Sequence, residues 1–308
     1  MDFPISGTHI SPVLLITAGF IIGICGGFFG VGGSFLAGPA LFSFGLPMNF
    51  VVGTDLAHIV GKSMVAARKH YRLGNVDLKL GAIMMLGTIP GVELGAQGIQ
   101  YLKRHAHVND VVAVVFIVVL VSVAAFVAWE SLKSMRMGRH ERKSKSLGRA
   151  GKSDVSVLSG VAKRVHLLSL PPMLEFPTAG IKRVSLWVIL GVGFFGGTFS
   201  GFLGGGAGYI RMPALVYLLG VPTHVAVGTD LFEIIISAGY GTFTHAFKGN
   251  VDILVALVMH TGAAIGAQLG ASLTQYFHGP RIRLAFVPLP LAGAGLILYT
   301  LLTGHRLG

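Results

Sequence analysis

The sequence predicts an all-α integral membrane protein: a polytopic helical bundle of two repeats in inverted orientation, with broken or re-entrant helices at two glycine-rich motifs. Three observations predict it. Of 308 residues, 53% are hydrophobic and 12% charged, with 45 glycines and a mean hydropathy of +0.74, which leaves too little polar surface for a soluble globule. The apolar runs that start at Val13, Val51, Leu78, Val111, Leu186, Val225, Ile253 and Leu284 are mostly of the ~20 residues that cross a ~30 Å hydrocarbon core, and they lack the alternation of barrel strands. The chain is also internally duplicated.

The duplication is plain at Gly27–Leu41, GFFGVGGSFLAGPAL, and Gly201–Leu215, GFLGGGAGYIRMPAL, which lie 174 positions apart. With one inserted residue the offset becomes 175, and it pairs Pro47 with Pro222, Gly53–Leu56 with Gly228–Leu231, Gly74–Asp77 with Gly249–Asp252, Gly91 with Gly266, and Gly95-Ala96 with Gly270-Ala271. Such a register does not arise by chance. It divides the chain into a first transmembrane repeat (1–130), a basic linker (131–185) and a second transmembrane repeat (186–308). Five membrane-entering segments per half make the repeats inverted, an arrangement general among transporters. A second segment that returned to its own side would change that parity.

Residues 13–29 predict a first helix running into the glycine cluster. Each glycine weakens a helix by about 1 kcal/mol relative to alanine, so the cluster predicts a break, with Pro39, and Pro213 in the second half, opening a new helix. That new helix, over 34–46, is too short to span. It reads as re-entrant, which a membrane allows only where protein or a wet cavity covers the free backbone groups. A third helix, Val51 to Arg68, places Asp55, His58 and Lys62 on one face at i, i+3 and i+7. A fourth follows Gly74–Asp77, carries Glu93 and reaches about Tyr101; a fifth runs from about Asp110 to Glu130. In the linker, Pro171-Pro172 and Pro177 stop helix extension. The linker is read either as a disordered tether or as holding an amphipathic helix over 155–168 on the anionic inner leaflet.

The net charge of +12 is a topology signal rather than a nucleic-acid footprint, because 12 of the 24 Lys and Arg fall in 131–185 against three acids there. Short basic loops stay inside, so the linker is expected in the cytoplasm, with Arg68–Arg72 and Arg281–Arg283 on its side and Lys103-Arg104 opposite. The single cysteine, Cys25, excludes an internal disulfide and a cysteine metal cluster. The N-terminus lacks a basic n-region, so the first apolar segment is expected to be a retained helix.

Ionisable residues inside membrane helices cost ~2.5–3.5 kcal/mol each on insertion scales and need a reason. Asp55 and Asp230 hold equivalent places and are expected as coupling or gating groups, with His58 and Glu233 beside them. Lys62 and Arg211, with Gly32, Gly33, Ser34, Thr54, Gly205, Gly206, Gly208 and Thr229, are expected to bind a small anion: the cations attract it, and glycine turns at half-helix N-termini aim backbone N–H groups and a positive dipole at it. The structural alternatives are a neutralising salt bridge, Asp55 to Lys62 or Asp230 to Arg211, and glycines that serve only close packing. His70 and His245 read as interfacial, Glu93 as a bond to a neighbouring helix, and Cys25 and His260 as single residues without a partner in view. No phosphate loop, His-Glu-x-x-His or Gly-x-Ser-x-Gly occurs, so neither a nucleotide site nor a catalytic centre is expected, and no cofactor or metal.

Gly30–Gly33 with Pro39, Gly204–Gly208 with Pro213, the two Gly-Thr-x-Leu motifs, and HYRLGNVD at His70–Asp77 with HAFKGNVD at His245–Asp252 resemble the TauE/SafE sulfite exporter family, also called TSUP or DUF81. The resemblance covers both halves and leaves out the linker and termini. It implies a secondary transporter, an exporter, in the inner membrane of a bacterium or archaeon, which moves sulfite, sulfoacetate or a related sulfur-containing anion. That family commonly has serine where this chain has Asp55 and Asp230. Two added acids repel a dianion unless protonated or paired, which points to proton coupling or a different substrate. A cation or proton carrier that uses the paired aspartates is the alternative, and an intramembrane enzyme a more distant one. The expected partners are a small anion, protons or another coupling ion, and the lipid bilayer, with no nucleic acid; homo-oligomerisation stays open.

Overall fold

The structure, a computed structural model, describes residues 1–104, 108–145 and 170–303. Each half opens with a two-stranded antiparallel hairpin, β1 (Asp2–Phe3) with β2 (Thr8–His9) and β3 (Met173–Phe176) with β4 (Ile181–Ser185). In the first half α1 (Pro12–Phe29), α2 (Ser34–Ser43), α3 (Met48–Arg72), α4 (Leu78–Arg104) and α5 (Val108–Lys145) follow. The second half repeats them as α6 (Leu186–Leu203), α7 (Gly208–Tyr217), α8 (Thr223–Phe247), α9 (Ile253–Thr274) and a divided fifth helix, α10 (Gly279–Phe286) and α11 (Pro288–Thr303). Among the described residues, seven segments are long and apolar enough to cross a membrane: α1, α3, α4, α5 to Lys133, α6, α9, and α10 with α11. The all-α polytopic bundle that the sequence predicts is the observed architecture.

Glycine builds its two strongest seams. In α1, Gly19, Gly23 and Gly27 share one face, and a Cβ on any of them would strike the carbonyl of Met259, Ala263 or Ala267 on α9. Reciprocally, a Cβ at Gly262, Gly266 or Gly270 would strike the carbonyls of Ile16, Phe20 and Ile24. The second seam is the repeat equivalent, with Gly87, Gly91 and Gly95 of α4 against α6, and Gly193, Gly197 and Gly201 of α6 against α4. Small residues four apart let backbones touch, and Cα–H···O contacts and dispersion hold them where lipid offers no hydrophobic drive. In both seams residue numbers rise together, so the paired helices are parallel. Each seam joins the first helix of one repeat to the fourth helix of the other, so the repeats interlock.

Between the seams α3 and α8, 25 residues each, run antiparallel. Near the start of α3, Thr54 Oγ1 accepts from the Asp252 N–H just beyond the end of α8, at 2.9 Å; near the start of α8, Thr229 Oγ1 accepts from the Asp77 N–H beyond the end of α3, at 2.9 Å. Equivalent helices that run antiparallel are related by a twofold axis perpendicular to them, hence in the membrane plane. The repeats are therefore inverted.

The same two aspartates fasten the ends of the bundle. Asp77 Oδ1 caps α4 by accepting from Leu80 N–H at 2.9 Å, while its Oδ2 accepts from Ala179 N–H in the second hairpin at 3.1 Å. Asp252 Oδ1 caps α9 through Leu254 and Val255, and its Oδ2 accepts from Ser6 N–H in the first hairpin at 3.1 Å. Met173–Ser185, within the stretch expected as linker, is thus the structural counterpart of the N-terminal hairpin. Helix α5 likewise continues beyond Glu130 to Lys145, while the amphipathic helix expected over 155–168 lies outside the described residues. Helix directions gather Arg68–Arg72, Lys79, the second hairpin and Arg281–Arg283 at one end, where Lys79 Nζ donates to Glu175 O and Arg283 to Thr223 Oγ1. Lys103 lies at the other, donating to Asn250 Oδ1 at 2.9 Å.

Two predictions follow from this packing. Gly23→Val or Gly197→Val places a side chain against a carbonyl, and an overpacking cost of about 1–3 kcal/mol or more is expected; thermal melting of the detergent-purified protein measures it, while Gly191→Val, where nothing lies within 4 Å of a Cβ, leaves the melting point unchanged. On a Cys25→Ser background, a membrane-impermeant maleimide labels the exposed positions Ile5→Cys and Tyr276→Cys from opposite faces of the membrane; labelling of both from one face contradicts the antiparallel arrangement.

Candidate functional site

Helices α1 and α6 stop at runs of left-handed backbone. Gly30, Gly32 and Gly33 have φ of 74, 66 and 78°, and Gly204, Gly205, Gly206 and Ala207 have φ of 85, 69, 71 and 47°. These positions make the break, and the prolines do not. Contrary to expectation, Pro39 and Pro213 lie inside α2 and α7, which open at Ser34 and Gly208. A proline inside a helix frees the carbonyl four residues back; here that is Phe35 O, which packs against the backbone of Gly293 on α11. With 10 residues each, α2 and α7 are about 15 Å long, half a membrane span. Both start at the centre of the bundle and run to opposite ends.

Their starting points cross. A Cβ at Gly208 would press on Val31 and lie 2.7 Å from Asp230 Oδ2; a Cβ at Gly205 would press on Ser34 and lie 2.9 Å from Asp55 Oδ2. The two contacts are twofold equivalents, and in each a second-half glycine makes room for a first-half residue, the backbone of Val31 or the side chain of Ser34. The amino ends of the half-helices therefore already face two carboxylates of the protein itself, as the helix dipole favours.

Behind this crossing lies a wholly buried ionic layer. Arg211 Nε donates to Asp230 Oδ1 at 2.9 Å, and its Nη2 makes a close ion pair with Glu233 Oε2 at 2.5 Å, off hydrogen-bond geometry. Ser237 Oγ donates to Glu233 Oε2 at 3.1 Å. On α3, Lys62 Nζ lies 3.1 Å from His58 Nδ1, and that nitrogen is 3.6 Å from Asp55 Oδ1. Neither oxygen of Asp55 has a hydrogen-bond partner, nor does the Tyr209 hydroxyl. Of the two salt bridges considered from sequence, Asp230–Arg211 is present, whereas Lys62 bonds His58 instead of Asp55. A cavity of about 320 Å³ lies between α5 and α7, lined by Ser122, Phe126, Tyr209, Pro213 and Leu218 among others.

The structure gathers Ser34, Asp55, His58, Lys62, Gly205, Gly208, Arg211, Asp230 and Glu233 at this centre. Other residues expected there do different work. The hydroxyls of Thr54 and Thr229 anchor the loops after α8 and α3. Gly32 and Gly206 abut Ile59 and Ile234, and Gly33 abuts the Ile22 carbonyl, so they shape the break without facing a polar space. His70 and His245 are fully buried rather than interfacial, because each ring donates through Nε2 to a carbonyl near the end of α1 or α6, Gly27 O at 3.2 Å or Gly201 O at 2.9 Å. Glu93 binds α8 through Tyr240, Thr244 and Lys248. Sequence reasoning named His260 but found it no partner; its ring lies against the backbone of Gly61 beside Lys62, and the one signal was a histidine in an apolar helix. Among the described residues no group of three His, Cys, Asp or Glu is placed to hold a metal ion.

Comparison with known proteins places this geometry in context. The family described as "Sulfite exporter TauE/SafE" matches residues 15–297. The chain is 26% identical over 276 residues to the probable membrane transporter protein YunE of Bacillus subtilis (strain 168), with 86% of this chain and 89% of that protein covered. To the probable membrane transporter protein YdhB of the same strain it is 25% identical over 287 residues, covering 93% and 99%. To the probable membrane transporter protein MJ0441 of Methanocaldococcus jannaschii it is 39% identical over 82 residues, 25% and 30% of the two chains. No solved structure matches.

Removing Arg211 alone strands two buried carboxylates, so Arg211→Met is expected to destabilise the protein by about 3–5 kcal/mol. In the triple variant Arg211→Met/Asp230→Asn/Glu233→Gln none of the three positions carries a charge, and most of that loss returns; thermal melts of both variants read the difference.

Proposed function

The chain belongs to the sulfite exporter TauE/SafE family and is a membrane transporter, and from that premise we propose that it exports a small sulfur-containing anion, such as sulfite or an organosulfonate, by proton-coupled alternating access. The observation that carries the reading is the crossing of two half-helices at the centre of an inverted bundle, with buried cations and an unbonded carboxylate, Asp55, beside it. Irregular backbone and ionisable groups at membrane depth mark transport pathways, and half-helix amino ends at the interface of inverted repeats are a recurrent way to hold anions.

In this reading Asp55 takes up the coupling proton. With every group ionised, Asp55, Asp230 and Glu233 outweigh Lys62 and Arg211, so an entering anion meets a negative centre. Protonation of a carboxylate removes that repulsion. Asp55 is the group suited to it, because Asp230 and Glu233 already share Arg211. The moving bodies are the two glycine seams, α1 with α9 and α4 with α6, rocking about the α3–α8 pair. The basic end faces the cytoplasm of a cell whose inner membrane holds the protein, as the positive-inside bias requires.

Uptake of radiolabelled sulfite and 2-aminoethanesulfonate into proteoliposomes, with and without an imposed pH gradient, tests this. The wild type accumulates at least one of them in response to the gradient. Asp55→Asn removes the pH dependence, and full pH dependence in an Asp55→Asn/Asp230→Asn variant would overturn the coupling role.

A further inference from the structure

We infer that the transported anion is held asymmetrically, on two donors of the first repeat, Lys62 and His58, with His260 of the second repeat lying across them, and not on Arg211 or the twofold axis. This rests on the reading above that the chain carries a small anion.

The two cations of the centre differ in charge balance, though Arg211 Nη1 also lacks a hydrogen-bond partner. Arg211 is matched by two carboxylates, with Asp230 on its Nε and Glu233 against its Nη2, so an incoming anion would have to displace protein charge. Lys62 is 1% exposed, and its ammonium makes one hydrogen bond, to His58 Nδ1 at 3.1 Å. An ammonium has three donors and no acceptor, so two of its N–H groups point elsewhere. Because Lys62 donates to Nδ1, the proton of a neutral His58 sits on Nε2, and that buried nitrogen has no partner. The His260 ring already donates to the His58 backbone, so its Nδ1, which has no partner, carries a lone pair in the neutral ring. Lys62 and His58 therefore present N–H groups where buried acceptors are lacking, an arrangement that costs stability unless a ligand supplies the acceptors.

The backbone is cut to place the third member. A Cβ at Gly61 would run into the His260 ring, so glycine at this point of α3 lets a side chain of α9 lie across the helix beside Lys62. None of this is duplicated. At the offset of 175 the counterparts of His58, Gly61, Lys62 and His260 are Glu233, Ile236, Ser237 and Met85. Where the first repeat has His58 and Lys62, the second has one acid, Glu233, and a serine, Ser237. Cys25 lies near the same ammonium, and Asp55 is the acid that faces it. A ligand that suits this set has two or more oxygens spread from one atom and carries negative charge: a sulfite, a sulfonate or a similar oxyanion, with the ammonium on one oxygen and an imidazole N–H on another.

Full-length protein in proteoliposomes tests this with sulfite and methanesulfonate as probes, each variant being checked for folding by its melting point. His58→Leu is expected to raise KM for a transported probe by about tenfold to a hundredfold, the size of a lost hydrogen bond to a charged group, with kcat little changed. Lys62→Met abolishes saturable uptake, and Lys62→Arg recovers part of it should the Met variant fail to fold. If the wild type carries a probe and His58→Leu keeps its KM within about twofold, a difference worth less than a hydrogen bond, the anion sits elsewhere and this inference falls while the transport reading stands. If the wild type carries neither probe, the anion reading falls and takes the inference with it.

Discussion

A charge buried away from water must be answered by another charge, by donors or by loss of its proton, and the centre of this protein is arranged around that constraint. Arg211 enters the bundle accompanied by Asp230 and Glu233, and all three are fully buried. The broken helices that approach them do so amino end first, where the dipole suits the nearby carboxylates. Even the glycines follow from it, since Gly205 and Gly208 leave room for Ser34 and Val31 at the point where Asp55 and Asp230 sit. Charge placement and backbone breakage are one design.

The twofold relation is nearly complete in the scaffold and abandoned in the chemistry. Asp77 and Asp252 cap equivalent helices and hold equivalent hairpins; His70 and His245 bind equivalent carbonyls; the two seams have the same glycine spacing. At the core the copies diverge, with His58 and Lys62 in one and Glu233 and Ser237 in the other. An architecture that presents the same shape to both membrane faces is suited to alternating access, whereas a single bound ion needs only one set of ligands.

Much of this was legible in the sequence because duplication carries its own register. The offset matched the helices, and the repeated Gly-Asn-Val-Asp identified two equivalent turns whose aspartates proved to be caps. The break was legible in the glycine cluster, but Pro39, expected to open the new helix, lies inside it, and the backbone that sits against the carbonyl it frees, that of Gly293, is remote in sequence. His70 and His245 were misread for a similar reason. Their neighbours are basic, while the carbonyls that receive them belong to other helices. Position along one helix is readable from periodicity; a partner on another depends on how closely backbones approach, and here glycines decide that distance.

Because each seam joins one repeat to the other, neither half is finished on its own. As the chain is synthesised, α1 and α4 enter the bilayer with glycine faces that have no partner until α6 and α9 follow. Between those events the nascent half exposes bare backbone to lipid and to any other small-residue helix nearby, a window in which mispairing competes with folding. Biogenesis of this protein is therefore governed by the second half reaching the first, and the connection between them sets how long the first half waits.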